Sequence, residues 1–454
     1  MKNQTVCLVA LFALACLGNA SGWAEDAVTP GPLAAPPVEH PKTAEGQDMV
    51  TPLVQSETRP ELYKVSKAEK KKLTARLQKR EMAGSEILPV IQEILQLKWS
   101  VTPEQTEGEV RKITLERVFY ETLERNLDVR KAKAQVKLAE AEGKELREPN
   151  LMTFLNPISM GQLKNAAEDN VKAAEWHVTA IRQKALLDSA RLHADLVQAF
   201  LNKYLMFQGI EQGRRQLSAE EQRFIAGETT SFEVSQAQMA LMERYGKYLS
   251  ADNLYHSASI ALSNHLGSSV KEVLVPEDYL QNGESVDVIM LNLIPSDFSL
   301  DQALKATENR PELQELRLKR NALSNIAKAA FGVDRDKREA ELKQLDLEIQ
   351  KALQGALSMT EKAFADYHLA RQTLLLAKQR YSLASQFVHQ LQVSYDAGFS
   401  SYKEVLDGQI EAEKAKTVLI GAQVAQNLSQ IRLIYEMGLL DVDVLSKGIT
   451  PGLL

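Results

Sequence analysis

Two stretches, 163–224 and 335–395, run without a proline through a mix rich in Ala, Glu, Lys, Leu, Gln and Arg. Each carries only a narrow apolar seam between charged positions, which predicts a long helix that cannot bury itself alone. At about 1.5 Å per residue each stretch makes a rod of roughly 90 Å. Return helices follow over 228–265 and 400–437, each roughly 55 Å long. Along the second, Val405, Ala412 and Leu419 step by seven, with Ala415 and Ala422 beside them. A seven-residue apolar repeat packs as a left-handed coiled coil, and alanine at the seam lets backbones approach closely. The pattern therefore reads as two helical hairpins that need each other and further subunits.

The chain between these helices repeats itself. Phe224, Gly227, Thr230, Glu233, Val234 and Gln238 recur as Tyr395, Gly398, Ser401, Glu404, Val405 and Gln409, 171 residues later (227 to 398). Forty residues beyond each glycine stands a second one, Gly267 and Gly438. A period that long marks a duplicated half-domain rather than a solenoid unit. Gly227 and Gly398 suit the left-handed residue that ends a helix. Thr230 with Glu233, and Ser401 with Glu404, have the spacing of capping boxes that start the next. Upstream, Thr114 and Ser299 are natural N-caps of short helices. Leu127-Asp128 and Pro311-Glu312 then begin second ones, with proline in an allowed first-turn position.

Composition changes this picture little. The formal net charge of −6 over 454 residues, with no basic stretch studded by aromatics, argues against nucleic acid as a partner. Lys2, an apolar run from Val6 to Leu17 and small residues after it read as an export signal, with cleavage after Ala20 or Ala24. Both cysteines, Cys7 and Cys16, lie in that signal. Cys16 is a candidate lipidation site, although Ala13 stands where an acylation motif wants leucine; the plainer reading is apolar filler lost on cleavage. Seven prolines mark residues 25–65 as an extended segment. Residues 66–112 form a helical extension, with an amphipathic stretch Glu86–Leu97 carrying Ile87, Leu88, Val90, Ile91, Ile94 and Leu95.

No catalytic constellation is evident. The seven histidines are scattered, and His177, His193, His368 and His389 fall within long helices without metal-ligand spacing. There is no phosphate-binding loop, nucleophile elbow or dinucleotide fingerprint. The expectation is a non-enzyme without cofactor or metal.

The paired hairpins with these turns resemble the TolC-like outer membrane factor family. Its half-repeats open as Thr114-Leu115-Glu116 with Asn126-Leu127-Asp128-Val129 do here, and as Ser299-Leu300-Asp301-Gln302-Ala303-Leu304 with Arg310-Pro311-Glu312-Leu313 do. Its tip motif matches both glycine turns, and the likeness covers about 113 to 440. The resemblance implies an all-α fold of two tandem hairpins that assembles as a homotrimeric α-helical barrel in the periplasm. Such a barrel is the exit duct of an efflux or type I secretion system. It also implies a periplasmic adaptor, and through it an inner-membrane pump, docked on Ala226, Gly227, Glu228, Ala397, Gly398 and Phe399.

One part of the family pattern is missing. Its outer-membrane β-barrel takes two strands per half, at least roughly 20 residues each time. The slots here are 148–161, which holds Pro149 and Pro157, and 331–336. From Asn126 to Gly227 is 101 residues; from Arg310 to Gly398 is 88. The second half thus has no room for strands, and little or no barrel is expected. Leu151, Met152, Phe154, Leu155 and Ile158 remain as a candidate membrane contact or, alternatively, a hydrophobic plug between helix ends. The expected order is signal 1–24, Pro-rich segment 25–65, extension 66–112, first hairpin repeat 113–267, linker 268–297, second repeat 298–440 and tail 441–454. The expected function is an exit duct; the alternative is a non-conducting periplasmic coiled-coil scaffold.

Overall fold

The computed structural model describes residues 110–145, 157–268, 272–282, 285–330 and 333–449. The signal with Cys16, the Pro-rich segment and residues 66–109 lie outside the described residues, as do Leu151, Met152, Phe154 and Leu155. In chain order the elements are β1 (Val110–Ile113), α1 (Leu115–Arg125), α2 (Leu127–Glu145), α3 (Pro157–Ala226), α4 (Ser231–His265), β2 (Val273–Pro276), β3 (Tyr279–Asn282) and β4 (Ser285–Val288). Then come α5 (Leu300–Thr307), α6 (Pro311–Ala329), α7 (Val333–Asp396), α8 (Tyr402–Glu436) and α9 (Val442–Lys447). Of the described residues 83 % are helical and 4 % are strand, so the all-α expectation holds.

Helices α3 and α7 are the two rods, 70 and 64 residues long. They run further than the proline-free stretches: α3 starts at Pro157, because proline in the first turn has no N–H to lose. Ile158 therefore sits in a helix and not in a loop. The return helices α4 and α8 are 35 residues each, about 52 Å. Towards the glycine turns, α4 packs on α3, α3 on α8 and α8 on α7, giving a sheet of four helices. Away from the turns, α2 and α6 flank α3, and α6 also packs on α7. The rods thus span two layers, and each half contributes the same three-helix path.

Between the layers lies the main core. Ile113, Phe119, Leu186, Leu196, Tyr255, Leu274, Ile420 and Ile434 pack there. The segment expected as a plain linker carries strands. Its Val-Leu-Val run pairs in parallel with β1, from Val110 opposite Val273 to Ile113 opposite Pro276. β3 and β4 form an antiparallel hairpin, Tyr279 opposite Val288. Residues 110–112, placed by sequence in the N-terminal extension, therefore belong to the folded repeat, as does α9 in the tail, whose Val442 and Val444 are buried.

Candidate functional site

The two glycine turns are built alike. Gly227 and Gly398 both sit at φ 80°, and a Cβ on either would meet nothing within 4 Å. The Glu228 amide donates to the Arg223 carbonyl at 2.9 Å and the Phe399 amide to the Ser394 carbonyl at 2.8 Å. These six-to-one bonds close Schellman motifs and satisfy the last carbonyls of α3 and α7. Thr230 and Ser401 then cap α4 and α8 in reciprocal capping boxes with Glu233 and Glu404. Hydrogen bonds from Thr229 and from the Thr230 amide hold the Glu233 carboxyl below its ordinary range; the Ser401 amide and hydroxyl do the same for Glu404. Outside these rigid turns stand exposed apolar side chains, Ile225 and Phe232 on one and Phe399 on the other.

Just behind the turns the hairpins are clasped together. Glu220 of α3 is 2 % exposed and accepts a hydrogen bond from the Tyr395 hydroxyl of α7. Arg223 lies over the Tyr395 ring, 4.5 Å from its centroid, and 3.7 Å from Glu220. Burial first, and the Glu220 carboxylate second, push the Tyr395 phenol well above its ordinary pKa. Further along, Arg244 of α4 crosses α3 into the second hairpin. It donates to the Gly209 carbonyl at 2.9 Å and to Gln409 at 3.1 Å, and pairs with Glu413 at 3.2 Å. Gln216 donates to the same Gln409 oxygen at 2.6 Å. Gly213 makes room, since a Cβ there would stand 3.2 Å from the Arg244 guanidinium. The four helices are thus locked in register by buried polar groups as well as by the apolar cluster of Ile210, Leu217, Leu241 and Tyr402.

Between the two layers, α8 holds the inter-repeat segment with a ladder of amides. Gln423 accepts from the Val288 amide at 3.3 Å. Asn427 accepts from the Leu291 amide at 2.9 Å and donates to the Ile289 carbonyl at 2.8 Å. Gln430 accepts from the Leu293 amide at 2.9 Å and donates to the Leu291 carbonyl at 2.8 Å. Spacings of four and three keep the three amides on one helix face, where they satisfy backbone groups that would otherwise pair in a sheet. Lys416, buried against the Tyr381 ring, adds an ion pair to Asp287 at 2.9 Å.

Among the described residues the flanks of the four-helix sheet are unpartnered. On α4 the side away from α3 exposes Phe232, Met239, Met242, Leu249 and Ile260. Helix α7 buries only Ala356, Thr360, Ala363, Tyr367, Leu374 and Ala377 among its 64 residues, while Leu347, Leu375 and Val393 stand in solvent. At the end away from the tips, α6 stops at Ala329 and α7 starts at Val333, a turn with no room for a strand. In the first half, 146–156 leaves eleven residues between α2 and α3. Two spanning strands and a turn need roughly twice that. Among the described residues no helix is long and apolar enough to cross a membrane.

The structure brings the sequence-selected tip and capping residues together at one end of the hairpins. It does not unite the histidines. His177 meets Glu315 at 3.1 Å in the far layer, and His193 meets Asp278 at 3.0 Å in the middle. His368 packs edge-on to Phe364 and Tyr367, and His389 is exposed. Among the described residues no group of His, Cys, Asp or Glu is placed to hold a metal. Sequence reading missed Glu220, Arg223, Arg244 and the α8 ladder. The motif residue Gln409 was a signal for the Arg244 cluster; its repeat mate Gln238 is only half-buried.

No family model and no curated protein matches the chain. Solved structures do. CusC, from a study of folding and transmembrane channel formation, aligns with a TM-score of 0.59 at 15 % identity, covering 75 % of this chain and 96 % of that one. A membrane protein from Pseudomonas aeruginosa aligns at 0.58 and 14 % identity, covering 71 % and 90 %. The CmeC outer membrane channel of Campylobacter jejuni aligns at 0.56 and 15 %, covering 73 % and 88 %. The chain has the TolC-like outer membrane factor fold.

Proposed function

We propose that this protein is the exit-duct component of a tripartite efflux or type I secretion system. Three copies close into a helical cylinder in the periplasm, associated with the outer membrane, and an adaptor docks on the tips at Ala226–Glu228 and Ala397–Phe399. The observation that carries this reading is the pair of unpartnered apolar flanks on α4 and α7. Two different edges on one sheet pair head to tail, and such contacts close into a ring when the rotation fits. Electron microscopy of the purified chain should show rings with a central hole on cylinders roughly 105 Å tall, the length of a 70-residue helix. Monomers or solid rods would refute the cylinder. Phe399→Asp should weaken co-purification with the cognate adaptor; unchanged recovery would refute the tip assignment.

A second reading is a scaffold that keeps the hairpins but conducts nothing. The α6–α7 turn favours it, because the duct has no membrane strands in that half. The two separate in a cell whose own exit duct is deleted. A conduit restores export of the pump's substrate, whereas a scaffold restores adaptor binding alone.

A further inference from the structure

A cavity of about 210 Å³ opens where the start of α2 meets α3 and the end of α4. Asn126, Lys131, His177, Lys184, Asp188 and His265 are among its walls. In the second repeat the same place is filled. Arg310, the counterpart of Asn126, pairs with Glu436 at 2.9 Å and lies 5.7 Å from the centroid of the Tyr435 ring. Tyr435 and Glu436 stand 171 positions after Asn264 and His265 (264 to 435, 265 to 436). The first repeat therefore has asparagine in place of both the arginine and the tyrosine, and no ion pair between them and the chain. Its closing turn also stands clear. A Cβ on Gly267 would meet nothing within 4 Å, whereas one on Gly438 would crowd the start of α6.

We propose that this cavity binds a small dianionic oxyanion, a phosphate or a dicarboxylate, between Lys131 and Lys184, with the His265 imidazole as a further donor. The charges of its walls lead to that ligand. Lys131 stands where the second repeat has Glu315, and Lys184 where it has Gly355, so both cations belong to the half that has the cavity. Among the described residues neither lysine forms an ion pair, and the His265 Nε2 is buried without a hydrogen-bond partner. A buried polar atom of that kind calls for a partner from outside the chain. Of the two carboxylates lining the cavity, Asp188 is paired with Arg191 at 3.3 Å and Asp128 is exposed to solvent. His177 is engaged by Glu315 at 3.1 Å. The uncommitted groups are thus mainly cations and donors. In the second repeat Glu436 supplies the anion and Arg310 the cation; in the first the chain supplies the cations and the ligand supplies the anion. Two ammonium groups favour a dianion over a monoanion, because each negative charge then has its own partner. This site requires neither the trimer nor the adaptor.

The test is isothermal titration calorimetry of the full chain at low ionic strength, where charge pairing is least screened, with inorganic phosphate and succinate as separate probes. At least one should bind saturably with a Kd of about 1 mM or tighter. Binding of phosphate alone assigns the phosphate class, and binding of succinate alone the carboxylate class. Binding of neither would overturn the proposal. Lys131→Gln combined with Lys184→Gln should weaken binding by roughly tenfold or more. Both side chains are exposed, so this variant keeps the fold. Asn126→Arg combined with His265→Glu installs the ion pair of the second repeat and should abolish binding by filling the cavity. Affinity unchanged in the lysine variant would place the anion elsewhere and overturn the proposal, even where the second variant folds poorly.

Discussion

The two closing glycines make a matched pair whose substitution separates backbone strain from packing. Gly267 and Gly438 end α4 and α8 at φ 64° and 74°. Any L-residue in the left-handed region costs about 1–2 kcal/mol, so both alanine variants lose that much. Their surroundings differ. A Cβ on Gly267 would meet nothing within 4 Å, whereas one on Gly438 would stand 2.9 Å from the Arg310 Cα and 3.1 Å from the Pro311 Cδ. Those atoms are the rigid start of α6 and cannot swing away as a side-chain tip would. Overfilling a packed site costs about 1–3 kcal/mol more. Two neighbouring bonds would be strained at the same time. The Gln183 amide donates to the Gly438 carbonyl at 2.7 Å, and Arg310 pairs with Glu436 at 2.9 Å, both charged groups largely buried. Gly438→Ala should therefore destabilise by roughly 2–5 kcal/mol and Gly267→Ala by roughly 1–2 kcal/mol. Urea denaturation followed by helical circular dichroism reads both at once, with the slope fixed by the common fold. Equal losses, or a larger loss at Gly267, would refute the claim that Gly438 is required by its contact with α6.

Four further outcomes follow from the geometry. Arg244→Met should cost about 3–5 kcal/mol by leaving Glu413 and Gln409 without their cation, and adding Glu413→Gln should recover part of it in a double-mutant cycle; strict additivity would argue against a shared cluster. Asn427→Leu should cost about 0.5–1.5 kcal/mol by removing its bonds to the part-buried Leu291 amide and the exposed Ile289 carbonyl, and should expose 287–293 to protease first; cleavage elsewhere at an unchanged rate would count against the ladder. Glu233 and Glu404 have folded pKa values depressed below their ordinary 4.5. Their contribution is present above that value and lost as pH falls through the lower folded one, so tip amides should loosen only under more acidic conditions, and Glu233→Gln together with Glu404→Gln should abolish that dependence. Tyr395→Phe should loosen the tip clasp by removing the donor to buried Glu220, read as faster amide exchange near 395–402; protection equal to wild type would remove the clasp from the account.

Features written in local sequence were legible before any coordinates. Hairpin turns depend on a glycine and a capping pair within seven residues, so Gly227–Glu233 and Gly398–Glu404 disclose themselves and do so twice. The narrow seam of α7 likewise announced a rod that buries little. What stayed hidden depends on partners far apart in sequence. Glu220 and Tyr395 are 175 residues apart and Arg244 and Gln409 are 165, and no spacing rule connects them. The strands were hidden for a related reason. β1 and β2 are four residues each, and what makes them strands is a parallel pairing across more than 150 residues. Pro157 misled in the other direction, because a proline read as a loop residue turned out to open a helix.

The distribution of these contacts also bears on how a fold of outer membrane channels can stand without barrel strands among the described residues. Barrel strands would have to leave the scaffold at the α2–α3 and α6–α7 turns. The buried cross-hairpin polar clusters described above lie near the tips and between the layers, and the main core sits where α1, the strands, α5 and α9 converge. The far layer is held by pairs between neighbouring helices, such as Arg320 of α6 with Asp346 of α7 at 2.7 Å and Asn325 of α6 with Asp169 of α3 at 3.3 Å. Changing the length of a surface turn costs little, whereas a helix cut through a core costs much. A change of length at such turns leaves the cross-hairpin contacts described above in place. What such a chain cannot lose is the tip end, where the buried Glu220 and the shared Gln409 bind one hairpin to the other.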